Sequence, residues 1–160
     1  MEIKFRGKLC HSDEWIVGNL IIANNNQPYI VPSDCVEPDG HHLIFDDKAF
    51  WVIPETVGQF TGLTDKNGKE IFEDSDLMLM KFTIQVDSFK ECSYIETADD
   101  GSCRYKKIIK LPSVLTKRDV KCGYEFYNKE YDVYTPLWSK SYDDINNLEV
   151  IGNIHDNGTN

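Results

Sequence analysis

The segment from residue 77 to residue 86 alternates between two kinds of side chain, and this restricts the fold more than any other feature of the sequence. One face would carry the apolar side chains of Met78, Met80, Phe82, Ile84 and Val86, and the other face those of Lys81, Thr83 and Gln85. Successive side chains of a β-strand point to opposite faces, so a period of two over this length predicts a half-buried strand.

Shorter runs with the same period fill most of the remaining chain, and polar turn sequences separate them. They lie at residues 3–9, 15–22, 29–31, 42–45, 50–53, 60–63, 69–72, 94–97, 103–111, 124–127, 131–134 and 148–154. β-Branched and aromatic residues are frequent in these runs, as is typical of strands. Helices are predicted at 113–121, after Pro112, and at 141–147, where Ser141 is suited to cap the first turn.

Two polar segments have the composition of hairpin turns. Asp65-Lys66-Asn67-Gly68 fits a type I turn closed by a glycine in the left-handed region, and Asp99-Asp100-Gly101 is expected to close a second hairpin in the same way. We therefore expect a mainly β fold, in which antiparallel hairpins form a small barrel-like or open architecture with one or two short helices. The 160 residues have the length of a single domain, and two lobes, 1–60 and 61–160, are the alternative.

The composition argues against several classes of protein. Seventeen basic and 27 acidic residues give a formal net charge of −10, which disfavours binding to a nucleic-acid backbone. No apolar run approaches the ~18 residues of a membrane span, and the first residues lack a signal-peptide core. Five cysteines, an odd number without close pairs, favour a reducing cytoplasm over a disulfide framework. We expect a cytoplasmic protein without membrane contact.

The charges are distributed unevenly along the chain. Residues 31–80 hold three basic and eleven acidic side chains, whereas residues 104–121 hold seven basic ones and a single acidic one. Such runs are most often two solvated faces, and complementary patches across a subunit interface are the second interpretation. A nucleic-acid footprint is the weakest interpretation, because the acidic remainder would repel phosphate.

The densest aromatic stretch, residues 124–142, is predicted to lie in the core or at a protein interface rather than to stack on bases. Tyrosine and tryptophan suit both places, because they bury a large area and keep a polar group. With the basic run, this stretch supplies the candidate interface residues, which are Tyr124, Phe126, Tyr127, Tyr131, Tyr134, Trp138, Arg104, Lys106, Lys107, Lys117 and Arg118.

The sequence contains no motif that is typical of catalysis or cofactor binding, neither G-x-S-x-G, G-x-G-x-x-G, H-E-x-x-H nor a P-loop lysine. No two cysteines lie within ten residues of each other, so the paired ligands of a structural zinc site are missing. The acidic run Glu73-Asp74-Ser75-Asp76 is a single turn, whereas two-metal catalysis needs several converging carboxylates. We predict no catalytic residue, no cofactor and no metal ligand.

Three segments resemble parts of a known family. Residues 57–73, VGQFTGLTDKNGKEIFE, resemble the core motif of the YopX family, whose members are small proteins encoded mainly by phages and prophages. Residues 3–8, IKFRGK, and 149–154, EVIGNI, are similar to the family's first strand and closing motif. The family usually has Glu-Gly-Asp where this chain has residues 73–76, so the entry into the next strand is expected to differ. The resemblance implies a β-rich fold and a phage accessory role, and it carries over no catalytic residue.

These observations lead to three hypotheses. The first is a phage or prophage accessory protein that acts in the cytoplasm of the bacterial host by protein binding and self-assembly, as a homo-oligomer without catalysis. The second is an acidic inhibitor of a host nucleic-acid-binding or defence protein, which residues 31–80 favour and residues 104–121 oppose. The third is a metal-dependent nuclease or hydrolase. Within the family motif, the expected structural residues are Gly62, Asp65, Asn67 and Gly68, and a binding surface is the alternative role for this motif.

Overall fold

Two antiparallel sheets divide the chain between them. The computed structural model describes residues 3–33, 48–119, 123–140 and 142–156. The strands of the first sheet are β1 (Phe5–Lys8), β2 (Trp15–Ile22), β3 (Pro28–Val31), β4 (Phe50–Trp51), β5 (Gly58–Thr64) and β6 (Glu70–Phe72), in the order β4-β3-β2-β1-β5-β6.

The second sheet follows directly in the chain. Its strands are β7 (Asp76–Val86), β8 (Tyr94–Thr97), β9 (Cys103–Asp119), β10 (Gly123–Asn128), β11 (Val133–Pro136) and β12 (Val150–Asn153). They lie in the order β11-β10-β9-β7-β12, and β8 pairs with the first residues of β9. A short helix, α1 (Tyr142–Asn146), and three 3₁₀ turns, Pro54–Thr56, Phe89–Glu91 and Leu137–Ser139, complete the described residues.

The predicted mainly β fold is confirmed, and so is a short helix near residues 141–147. Neither sheet closes into a barrel in the part of the chain that the structure describes, so the architecture is of the open kind. The sheets divide between Phe72 and Asp76, whereas the alternative boundary at residue 60 would cut through β5. The strand predicted at 42–45 lies outside the described residues.

The predicted helix at 113–121 is wrong, because β9 continues as a strand to Asp119. Leu111, Ser113 and Leu115 are all buried, so the core requires a period of two through this segment. Pro112 is tolerated because β9 has, among the described strands, no partner on its second edge between Lys106, where the pairing with β8 ends, and residue 114, where the pairing with β10 begins. The Pro112 carbonyl faces that edge and accepts a hydrogen bond from the Asn128 side chain at 2.6 Å, so its nitrogen would have no ladder partner there.

The main core lies on one face of the second sheet. Its fully or almost fully buried side chains are those of Ile71, Met78, Met80, Phe82, Leu111, Leu115, Phe126 and Leu148. The predicted alternation of buried and exposed side chains along β7 is therefore observed as far as Phe82. Beyond Phe82 the inner face is less well covered, because Ile84 and Val86 are only half-buried. Residues 83–108, which extend past the core, are called the distal arm below.

Candidate functional site

The segments at residues 3–8, 57–73 and 149–154 meet where the two sheets join. Arg6 of β1 donates to the Asp76 carboxylate of β7 at 2.7 Å and to the Ser75 hydroxyl at 2.9 Å. Its guanidinium carbon lies 4.8 Å from the ring centroid of Trp15 and 4.4 Å from that of Phe72. Contacts of this kind between a cation and two aromatic faces are favourable when water is excluded. The junction therefore binds a strand of the first sheet to a strand of the second.

Asp65 joins the hairpin turn to the closing strand. One of its carboxylate oxygens accepts from the backbone N–H groups of Asn67 at 2.8 Å and Lys69 at 2.9 Å, and the other accepts from that of Val150 at 3.1 Å. Burial raises the pKa of Asp65, but the hydrogen bonds from Val150, Lys69 and Asn67 outweigh it, so the pKa lies below its ordinary value. The Asp65 carboxylate therefore stabilises the turn and its contact with β12.

The glycines on either side of Asp65 have the backbone that the turn requires. Gly62 has a φ of 82° and Gly68 a φ of 81°, in the left-handed region where other residues are strained. Lys66 donates its backbone N–H to the Leu148 carbonyl at 2.8 Å, which adds a second bond between the turn and the segment before β12. The Asp65 carboxylate and these backbone groups of the turn are therefore bonded within the protein.

Two of the six described acidic side chains within residues 31–80 are buried. Asp76 is 1% exposed and Asp65 is buried, and Glu70 forms an ion pair with Lys4. Burial, and then the Asp74 charge, raises the pKa of Glu73. Glu55 and Asp74 are exposed, and the five acidic side chains between residues 34 and 47 lie outside the described residues. The described surface is thus less acidic than the residue count suggests.

No described group of three or more His, Cys, Asp and Glu side chains is placed to hold a metal ion. One cavity, of about 460 Å³, does bring Cys10 and His155 to a common wall, together with Lys8 and Asp13. Burial raises the pKa of the Cys10 thiol. Burial, and then the Arg6 charge, lowers the pKa of His155. Both shifts disfavour the thiolate–imidazolium pair that a cysteine nucleophile needs.

The candidate interface residues are spread over the second sheet instead of forming one patch. Arg104, Lys106 and Lys107 lie at the beginning of β9, in the distal arm, whereas Lys117 lies near its end. At about 3.3 Å per residue, Arg104 and Lys117 are about 40 Å apart along the strand. The basic run therefore supplies two separate surfaces.

Phe126 does not belong to any surface, because it is completely buried in the core. Its inclusion among the interface residues was wrong, since it faces Leu115 across the β9–β10 pair and shares that residue's inner face. Tyr124 is half-buried, with the Lys117 ammonium 5.9 Å from its ring centroid. The side chains of Trp138 and Arg118 lie outside the described residues.

Tyr127 and Tyr134 lie together on the outer face of the second sheet. Their rings are stacked, with centroids 4.4 Å apart and planes 20° apart. The register continues this pair across the sheet to Val114 and then Leu77, so four half-buried side chains form one cross-strand row. Three members of the row, Leu77, Val114 and Tyr127, form the floor of a groove of about 560 Å³, called the outer-face groove below.

The rim of the outer-face groove is polar, apart from one apolar side chain. Asp74, Lys129 and Glu130 line it, and Ile154, which is 49% exposed, lies at one end. Tyr131, another candidate interface residue, is half exposed at the nearby β10–β11 hairpin. Sequence reasoning missed the apolar floor, although a signal was present. Leu77 and Leu79 are apolar, although the period of two places both on the solvent-facing side of β7.

The distal arm has a second unusual surface, along β8. All four residues of this strand are exposed, including Tyr94 and Ile95, and among the described residues β8 pairs with β9 alone. Phe89, just before it, is also largely exposed and contacts the Tyr105 ring edge-to-face, with centroids 6.1 Å apart. The arm thus combines apolar side chains with an open sheet edge.

Comparison with known proteins gives one match. The family model described as YopX protein matches residues 4–159, almost the whole chain. No curated protein and no solved structure matches. Among the described residues, no helix is both long enough and apolar enough to cross a membrane.

Proposed function

This chain belongs to the YopX family, and from that premise we propose that it is a phage or prophage accessory protein that acts by binding protein and by self-assembly. The observation that carries the proposal is the outer-face groove, where an apolar floor lies on the solvent side of a sheet. The proposed place of action is the cytoplasm of the bacterial host, and the proposal includes no catalytic step.

The groove has the composition of a protein interface. Interfaces have an apolar, aromatic-rich centre surrounded by a polar rim, and contiguous apolar patches on a soluble protein commonly mark such sites. Leu77, Val114 and Tyr127 supply the centre, and charges of both signs at Asp74 and Lys129 supply the rim. Tyrosine at the centre is favourable, because it buries area and retains a hydroxyl for hydrogen bonding.

The alternative of an acidic inhibitor has less support. Two of the carboxylates that suggested it, Asp65 and Asp76, are buried and bonded within the protein. The metal-dependent nuclease has less support still, because Asp76 of the acidic run is paired with Arg6. Protein binding therefore remains the function that the described geometry favours.

The test is co-purification of the tagged protein from a bacterial host lysate at low salt, followed by native mass spectrometry. We expect a partner in stoichiometric amount with the wild type, and its loss with Ile154→Glu, which places a charge in the groove. Ile108→Glu is the matched control, because Ile108 is also 49% exposed but does not line the groove. Equal capture by both variants, or no partner with the wild type, would contradict the assignment of the groove.

A further inference from the structure

The backbone of β8 has hydrogen-bonding groups directed away from its own sheet. Ala98 donates to the Ser102 carbonyl at 2.9 Å, and in an antiparallel pair the hydrogen-bonded positions alternate. Glu96 and Tyr94 therefore bond to β9, whereas the N–H and C=O groups of Ile95 and Thr97 point to the open edge. Such an edge is a template for another strand.

One face of the distal arm carries an apolar row that ends at this edge. Val86 pairs with Tyr105, and Tyr105 pairs with Ile95, so the three side chains lie side by side across β7, β9 and β8. The same face is buried further along β7, at Phe82. Ile95, which is 46% exposed, is the end of the row.

We propose that β8 pairs with the β8 strand of a second copy, antiparallel, about a two-fold axis that passes through Ile95. The inference rests on the self-assembly part of the proposed function and names its contact. Two identical strands paired antiparallel form a closed, isologous dimer. With the axis at Ile95, the outward N–H and C=O groups of this residue bond reciprocally to those of the partner's Ile95. The apolar row of one copy then continues into the apolar row of the other.

The charges are compatible with this register, and the apolar row favours it. Glu96 lies opposite Arg104 in the arm, and its carboxylate is 3.3 Å from the Lys106 ammonium. With the axis at Ile95, each Glu96 faces the partner's Tyr94, and no two carboxylates meet. An axis shifted by one residue to Glu96 would place the two Glu96 side chains directly opposite each other, which is destabilising. In that register, Ile95 would also no longer lie opposite the partner's Ile95.

Substitution of Ile95 by proline tests the contact between copies without disrupting the fold of the distal arm. Because the Ile95 N–H faces away from β9, Ile95→Pro removes the outward donor and the isoleucine side chain but no hydrogen bond to β9, and proline is compatible with an edge strand at such a position. We expect the wild type to sediment at twice the 18.5 kDa of the chain and Ile95→Pro to sediment at 18.5 kDa with an unchanged circular dichroism spectrum. Ile95→Val, which keeps the donor and the branched side chain, is the control and is expected to remain dimeric.

Disulfide cross-linking tests the position of the axis, in a background with Cys92→Ser and Cys103→Ser. Directly opposite, hydrogen-bonded residues have Cα atoms about 5.5 Å apart, within the range that a disulfide spans. Ile95→Cys should therefore cross-link two copies. Thr97→Cys, on the same edge, should not, because it would lie about 13 Å from its counterpart.

Each other outcome overturns a different statement. A wild type that is monomeric at all concentrations contradicts self-assembly itself. A dimer that persists in Ile95→Pro retains self-assembly but assigns it to another surface. Cross-linking through Thr97→Cys but not Ile95→Cys retains the strand and refutes the register. If β8 binds a strand of a different protein, the wild type is monomeric when pure, and Ile95→Pro loses that partner from the co-purification described above.

Discussion

Arg6 and Asp76 form an ion pair across the junction of the two sheets, and both partners are shielded from water. The side chain of Arg6 is 11% exposed and that of Asp76 is 1% exposed. Asp76 also accepts the Phe72 backbone N–H at 2.8 Å and is approached by the Asn153 amide at 3.4 Å. The carboxylate therefore connects the first sheet, the start of β7 and the last strand.

Removing the charge of Asp76 is expected to destabilise the protein strongly. Asp76→Asn leaves the Arg6 guanidinium buried without its counterion, and breaking a buried pair in this way costs about 3–5 kcal/mol. The free energy of unfolding in urea, followed by tryptophan fluorescence, measures the loss. Lys66→Met is the matched control, because the Lys66–Glu149 pair is exposed, and pairs of that kind contribute at most about 1 kcal/mol. Equal losses in the two variants would refute the role of burial.

Asp65 is predicted to contribute to stability through its three backbone hydrogen bonds. Asp65→Ala leaves N–H groups of the turn and of Val150 without their acceptor, and buried groups left in this state cost about 1–3 kcal/mol. The comparison is Asp100→Ala, because Asp100 accepts similar bonds from Ser102 in an exposed turn, where water can replace the carboxylate. A smaller effect of Asp65→Ala than of Asp100→Ala, in urea unfolding at pH 7, would contradict this role.

The same carboxylate predicts a dependence on pH. Since the pKa of Asp65 is lower in the folded protein than in the unfolded chain, its contribution is complete above the unfolded value, about 4, and is lost as the pH falls through the folded value. The difference in unfolding free energy between the wild type and Asp65→Ala should therefore shrink in acid. A difference that stays constant from neutral pH to well below pH ~4 would show that the charge is irrelevant.

Gly18 is predicted to be intolerant of any side chain. A Cβ atom there would lie 2.0 Å from the Val31 carbonyl oxygen and 2.8 Å from the Pro32 Cα, both backbone atoms that cannot move aside cheaply. Gly18→Ala must push β2 and β3 apart, and overpacking of this kind costs about 1–3 kcal/mol or more. Gly152→Ala, with nothing within 4 Å of its Cβ, is the control. A melting temperature lowered equally in both variants would argue against the close approach.

The local sequence pattern is sufficient to predict the structure in two places. One is a strand with a single face on the core, and the other is a turn whose residue types determine its backbone. Met78, Met80 and Phe82 were predicted to share a face, and they lie together in the core. The turn at Asp65–Gly68 was predicted from its residue types alone, and it joins β5 to β6. In both places the interactions that decide the structure lie within a few residues of each other.

Prediction failed where distant residues decide the structure. Pro112 and Ser113 favoured a helix locally, but the register with β7 buries Ser113 next to Met78 and makes a strand of the segment. Phe126 and Tyr127 are both candidate interface residues by sequence, although the pleat sends Phe126 inward and Tyr127 outward. The outer-face groove needed Leu77 and Ile154 from separate strands and turns, and nothing local to either residue indicates that they meet.

The closing segment, residues 149–154, is synthesised long after the residues that it contacts. Synthesis proceeds from the amino end, so Asp65 and Asp76 leave the ribosome well before Val150 and Asn153, which supply some of their hydrogen bonds. Contacts between residues so far apart in sequence slow folding, because the chain must close a long loop before it gains them. A nascent chain thus holds two sheets with an incomplete seam until β12 emerges. Strand β12 therefore completes the joining of the two sheets, and it does so only after both sheets have left the ribosome.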